Sequence, residues 1–177
     1  MEASSLGNIS YEAMETRPSP FKGFWIRVFA FIIDSIVLGV AVWGCAIVFG
    51  IFFGSLFGED AGFGAAIIVI FVASIATLFY KPLMEASEYQ GTFGKYFLSM
   101  KVVDKNGRRI TTAKSFIRTI VFMFQVYIPM INWFSWLLLL VISFTEENQG
   151  LHDMAAETYV VSKYWQGPVP LQDNFGA

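Results

Sequence analysis

The chain has 177 residues, of which 55% are hydrophobic, 18% aromatic and only 15% charged, and its mean hydropathy is +0.56. This composition excludes an ordinary soluble domain and predicts an integral membrane protein whose first partner is the lipid bilayer. A formal net charge of −2 leaves no basic excess for a nucleic-acid partner, and one Cys with one His excludes a disulfide within the chain and a His/Cys metal cluster.

Residues 1–20 are polar and mixed in charge and lack the basic start, apolar core and small-residue cleavage site of a signal peptide, so they read as a flexible tail. An apolar run follows from Ile26 to Phe57, broken only by Arg27 and Asp34. As one helix it would reach about 48 Å against a hydrocarbon core of about 30 Å, so it must tilt, break or project past the membrane. "GED" at 58–60 makes a short turn, and Ala61 to Tyr80 predicts one clean span stopped by Lys81-Pro82. "GTFGKYFLSM" reads as an amphipathic segment on the membrane surface, with Phe93, Tyr96 and Phe97 available to lipid. In "KVVDKNGRRIT", Asn106-Gly107 between β-branched residues predicts a small hairpin over 101–112 with a type I′ turn. The last apolar region, Phe116 to Phe144, is interrupted by Pro129 and Asn132. It is either one kinked third span or two half-helices that enter and leave on the same side.

Arg17, Lys22 and Arg27 precede the first span, the next loop has no Lys or Arg, and seven of these residues lie between Lys81 and Lys114. The positive-inside rule therefore puts the N-terminus and the hairpin in the cytoplasm. The side of the C-terminus depends on how the broken region is arranged. The fold expected is an all-α integral membrane protein of about three transmembrane helices with a small cytoplasmic β-hairpin: tail 1–20, membrane domain 21–163, C-terminal tail 164–177.

"FWIRVFAFIIDSIVLGV", "GTFGKYFLSMKVVDKNGRRI", "SFIRTIV" and "GLHDMAAETYVV" occur in the order and spacing found in the RDD family of small multi-pass membrane proteins, named for one arginine and two aspartates, and the chain resembles that family over roughly residues 21 to 163. The resemblance makes Arg27 the arginine, Asp34 the first aspartate and Asp153 the second. Glu157 departs from the small residue that often precedes the Thr of the closing motif. A transport role is proposed for the family, and cation–proton exchange for some members. The resemblance thus implies a bacterial cytoplasmic membrane protein with Arg27, Asp34 and Asp153 at an ion or proton site.

The residues themselves leave the roles open. Arg27 and Asp34 lie on nearly one helix face but about 10 Å apart along the axis, so they are not expected to pair directly. Arg27 can snorkel to phosphates as a topology anchor. Asp34 sits deeper, where a charge costs about 2.5–3.5 kcal/mol on insertion scales. Arg118, Lys95 or a water-filled cavity are the candidate offsets. It is either half of a structural ion pair or a carboxylate for a proton or cation. Glu85 and Glu88 beside Lys81 read as a solvated interfacial cluster, and His152 as a surface or packing residue with a proton relay as the sharper alternative. Gln125, Tyr127 and Asn132 surround the Pro129 break, repairing the helix ladder or building an ion site.

Ala46, Gly50, Gly54, Gly58 and Gly62 recur every fourth residue and form a ridge suited to close helix packing, against the second span or another copy. Two functions stay open. One is a small oligomeric transporter or exchanger of protons or monovalent cations, with Asp34 as the carboxylate and Arg27, Arg118 and Asp153 shaping its potential; an oligomer is required because three spans enclose little volume. The other is a non-transporting scaffold or subunit. No enzyme, cofactor or metal is expected, since no activated nucleophile, HExxH or P-loop occurs.

Overall fold

The computed structural model describes residues 19–127, 142–143, 145 and 147–171. Its elements are α1 (Phe24–Phe57), α2 (Glu59–Glu85), α3 (Phe93–Phe97), β1 (Met100–Val103), α4 (Thr112–Tyr127), α5 (Leu151–Ala155) and β2 (Tyr159–Ser162). Of the third apolar region, Phe116 to Tyr127 belong to α4, while the expected break at Pro129 and Asn132 lies outside the described residues.

The first apolar run is one unbroken helix of 34 residues, about 51 Å long and therefore longer than the hydrocarbon core. Gly58 alone forms the turn, at φ +97, a left-handed value that glycine adopts without steric cost. α2 then returns along α1. Lys81-Pro82 does not stop it: Pro82 is buried inside the helix, which continues to Glu85. This extension carries the Glu85 side chain into the protein.

Both long helices are long and apolar enough to cross a membrane, and only 6% of the most apolar window of each is buried. Core helices of a soluble protein would be buried over most of such a stretch. Here Phe52, Phe57, Phe63, Ile68 and Phe71 are exposed, while Ala30, Ala46, Gly62 and Glu85 are inside. Lipid is the solvent that accepts such a surface. α4 has the same inversion, with Ser115, Arg118 and Thr119 buried and Ile117, Ile120 and Phe124 exposed.

The period-four ridge packs within the chain. A Cβ added to Gly62 would lie 2.6 Å from the Gly50 carbonyl oxygen and 2.8 Å from the Gly54 Cα, so Gly50 and Gly54 receive the backbone of α2. Gly58 belongs to the turn and would meet nothing within 4 Å.

The sheet also differs from the expected hairpin. β1 pairs antiparallel with β2, with Val102 opposite Val160, and Phe21 adds an edge through a bridge to Val161. The strand returning after the turn makes a single bridge, Val103 to Arg109. The physical reason lies at the tip. Asp104 Oδ1 accepts from the amides of Asn106 and Arg108, and its carbonyl accepts from Gly107 N at 3.0 Å. Only Gly107, at φ +73, is left-handed there, whereas a type I′ turn needs positive φ at Asn106 as well. Val103, Val161 and Val169 form a small buried cluster joined by Phe21, Trp165 and Leu171, so the folded body continues past residue 163 to Leu171.

Candidate functional site

Two polar constellations meet at the end of the α1/α2 pair that carries the sheet. The first centres on Asp34. The amides at the start of a short helix have no carbonyl partner within it, and the side chain of Thr92, the residue before α3, does not cap them. Asp34 supplies the acceptor from α1: Gly94 N donates to its Oδ1 at 2.8 Å, and the Thr92 hydroxyl donates to Oδ2 at 2.5 Å. Tyr80 on α2 donates to Oδ1 at 3.2 Å and accepts from Phe93 N at 2.8 Å. α3 comes this close because position 94 has no side chain; a Cβ there would collide with the Ala30 carbonyl.

The second constellation is a buried ion cluster. Asp153, fully buried on α5, receives Arg27 from α1 on Oδ2 and Arg118 from α4 on Oδ1 at 2.5 Å. Gly150 N donates to Oδ2 at 3.2 Å. Arg27 also donates to the carbonyls of Lys22 at 2.8 Å and Asn148 at 2.5 Å. Glu85, also fully buried, pairs with Lys95 at 2.5 Å and faces Arg118 Nε at 3.7 Å. Ser115 donates to it at 3.4 Å. Lys81 lies over the Phe122 ring at 3.8 Å, a cation–π contact, and the same ring meets His152 edge-on at 5.5 Å.

Burial alone would raise the Asp153 carboxyl, but Arg118, with Arg27 behind it, outweighs it and holds the group well below the usual carboxylate range. Burial pushes His152 down to about 3 against the pull of Asp153 beside it. At neutral pH the imidazole is therefore uncharged. Burial lowers Lys95 as well, with Glu85 opposing.

Several expectations change. Arg118 and Lys95 do not offset Asp34; they serve Asp153 and Glu85, and Asp34 is in no ion pair among the described residues. Arg27 is not only an interfacial anchor, because its guanidinium turns inward onto Asp153. Glu85 is not a solvated interfacial residue, and of the two plain readings of His152 the structure takes packing over surface, the buried ring standing edge-on to Phe122. Tyr80 and Thr92 were not singled out by sequence reading, although "GTFG", a hydroxyl followed by a glycine at a helix start, signals such a cap. Asn132 and Pro129 lie outside the described residues.

The model of the RDD family matches residues 21–157. A similar protein in Bacillus subtilis (strain 168) is the uncharacterized protein YxaI, 28% identical over 156 residues that cover 80% of this chain and 97% of the relative. Another from the same organism is the uncharacterized membrane protein YteJ, 30% identical over 144 residues, covering 80% of each. No solved structure matches the chain.

Proposed function

This chain belongs to the RDD family, and we propose that it is a small membrane transporter that exchanges protons or monovalent cations at Asp34 and works as an assembly of copies or with partner membrane subunits. One observation carries the reading: a carboxylate within a membrane helix is faced by two hydroxyls and an amide and by no lysine or arginine among the described residues. An intramembrane acid without a fixed counter-ion is costly to keep and marks ion paths. The Tyr80 and Thr92 hydroxyls can turn from donors to acceptors. Thr92 can accept from a protonated Asp34, and both oxygens can join the carboxylate around a small cation, for which oxygen ligands are suited.

The ion cluster has the opposite character. It joins α1, α2, α4 and α5 through the fully buried Glu85, Arg118 and Asp153 and the largely buried Arg27, and serves as the frame against which the Asp34 site is held. In this reading the N-terminus and the loop between α2 and α4 face the cytoplasm of a bacterial inner membrane, as the Lys and Arg distribution favours. No chemistry on a substrate and no cofactor is involved.

A non-transporting scaffold is the second reading. It is favoured by the completeness of the cap that Asp34 gives to α3, which accounts for the aspartate as a docking residue. Flux of protons and of sodium or potassium through proteoliposomes, measured for the wild type and Asp34→Asn with assembly size determined in parallel, separates the two. Transport predicts flux that Asp34→Asn abolishes with assembly intact; no flux in the wild type supports the scaffold.

A further inference from the structure

The buried ion cluster is electrostatically incomplete. Among the described residues, Arg27, Lys81, Lys95 and Arg118 face one another around two carboxylates, Glu85 and Asp153, so that within this set positive charges exceed negative ones by two. His152 does not alter the balance, being neutral at physiological pH. Asp34 stands apart, with neutral donors of its own. Arg118 is fully buried, and its Nη1 has no hydrogen-bond partner among the described residues. A buried guanidinium with an idle donor, beside further cations, is costly unless an anion completes it.

The cluster also has a rim. Lys81 is half-buried, is in no ion pair among the described residues, and rests on the Phe122 ring. Lys95 keeps 12% of its side chain exposed. Trp25, 70% exposed, belongs to this same end of the molecule, and exposed Trp rings favour the level of the lipid headgroups. A guanidinium at the base with two ammonium groups at the rim suits an oxyanion that can accept from several donors at once. Basic pockets between membrane helices bind lipid head groups in this way.

We propose that the Arg118–Lys81–Lys95 cluster binds one phosphate group, carried by an anionic lipid headgroup at the membrane surface or taken up as free phosphate. The inference is independent of any transport at Asp34.

The test uses the full chain, purified in detergent and stripped of lipid, titrated separately with dioctanoyl phosphatidylglycerol and with inorganic phosphate. Melting midpoint and adducts retained in native mass spectrometry are read together. Saturable protection with one ligand retained per chain is expected. Lys81→Gln should raise the half-saturating concentration about fivefold, as should Lys81→Met, which keeps the stem over Phe122. The exposed Lys105→Gln should leave it unchanged. Both Lys81 variants should melt close to the wild type without ligand, because the cation–π contact they lose is offset by relief of repulsion from Lys95 and Arg118. Protection by the lipid alone assigns the site to a headgroup, and equal protection by phosphate assigns it to the free anion. No saturable protection by either ligand, or protection equal in wild type and Lys81 variants, overturns the proposal.

Discussion

Arg27 and Asp153, separated by 126 positions in the chain, meet in a buried ion pair that ties the start of the first membrane helix to the C-terminal segment. The Asp153 carboxylate is shared, since Arg118 holds its other oxygen. Removing the carboxylate therefore strands two guanidinium groups. Asp153→Asn should lower stability by roughly 3–5 kcal/mol, and adding Arg118→Gln should recover part of the loss. Denaturant unfolding of the detergent-solubilised protein checks both; an Asp153→Asn protein as stable as the wild type would show that the cluster contributes little to the fold.

Acid should destabilise the protein through His152. Its folded pKa is pushed down by burial to about 3, whereas an unfolded histidine titrates near about 6.5. Between these values the unfolded chain binds a proton that the folded chain does not, so stability falls as the pH drops, by roughly 1.4 kcal/mol per unit. The depressed Asp153 acts in the same direction at lower pH: its contribution is present above the unfolded value of about 3.9 and is lost as the pH falls toward its folded pKa. Melting midpoints measured from pH 7 to pH 4 should drop less steeply for His152→Gln than for the wild type. Parallel curves would contradict the neutral, buried imidazole.

Alanine at the helix crossing should discriminate between neighbouring glycines. At Gly62 a Cβ would meet backbone atoms of Gly50 and Gly54 at 2.6 and 2.8 Å, whereas at Gly50 the nearest atom is at 3.4 Å. Gly62→Ala should force the two helices apart and cost about 1–3 kcal/mol, as overpacking does. Gly50→Ala should cost clearly less. Unfolding measurements on the two variants would refute the arrangement if their order were reversed.

Asp34→Asn should be mild for the fold, at about 1–2 kcal/mol, because its partners are two hydroxyls that can reverse their role and an amide that the remaining carbonyl can still accept. Gly94→Ala should be more severe, since the clash is with backbone of α1. A cysteine introduced at Leu98, which packs against the buried Ala30–Met100 cluster, and labelled from the aqueous side should report undocking of α3 in Gly94→Ala and not in Asp34→Asn. Equal labelling of both variants would show that the close backbone approach does not dock α3.

Hydropathy alone determined the solvent and the two long helices, because a run such as Ile26 to Phe57 can be satisfied only by a helix in lipid. The motifs "WIRV", "IIDS", "FIRT" and "LHDM" also marked Arg27, Asp34, Arg118 and Asp153, since charges in an apolar chain are conspicuous, whereas the uncharged Thr92 and Tyr80 were not marked. The pairing of the charges was not legible. Helical spacing correctly kept Arg27 from Asp34, but depth along one axis suggested Arg118 for Asp34, when two other carboxylates compete for that guanidinium in three dimensions. Glu85 looked solvated because Lys81-Pro82 reads locally as a stop; the proline is instead accommodated inside the helix, and the extra turn buries the acid. Asn106-Gly107 predicted a hairpin pairing across the turn, but Asn106 does not take the left-handed φ that a type I′ turn requires. The tertiary structure chose Val160 and Val161 as partners of β1, because pairing with β2 buries both strands' valines in small apolar clusters on the two faces of the sheet, a gain in buried area that short-range sequence cannot reveal.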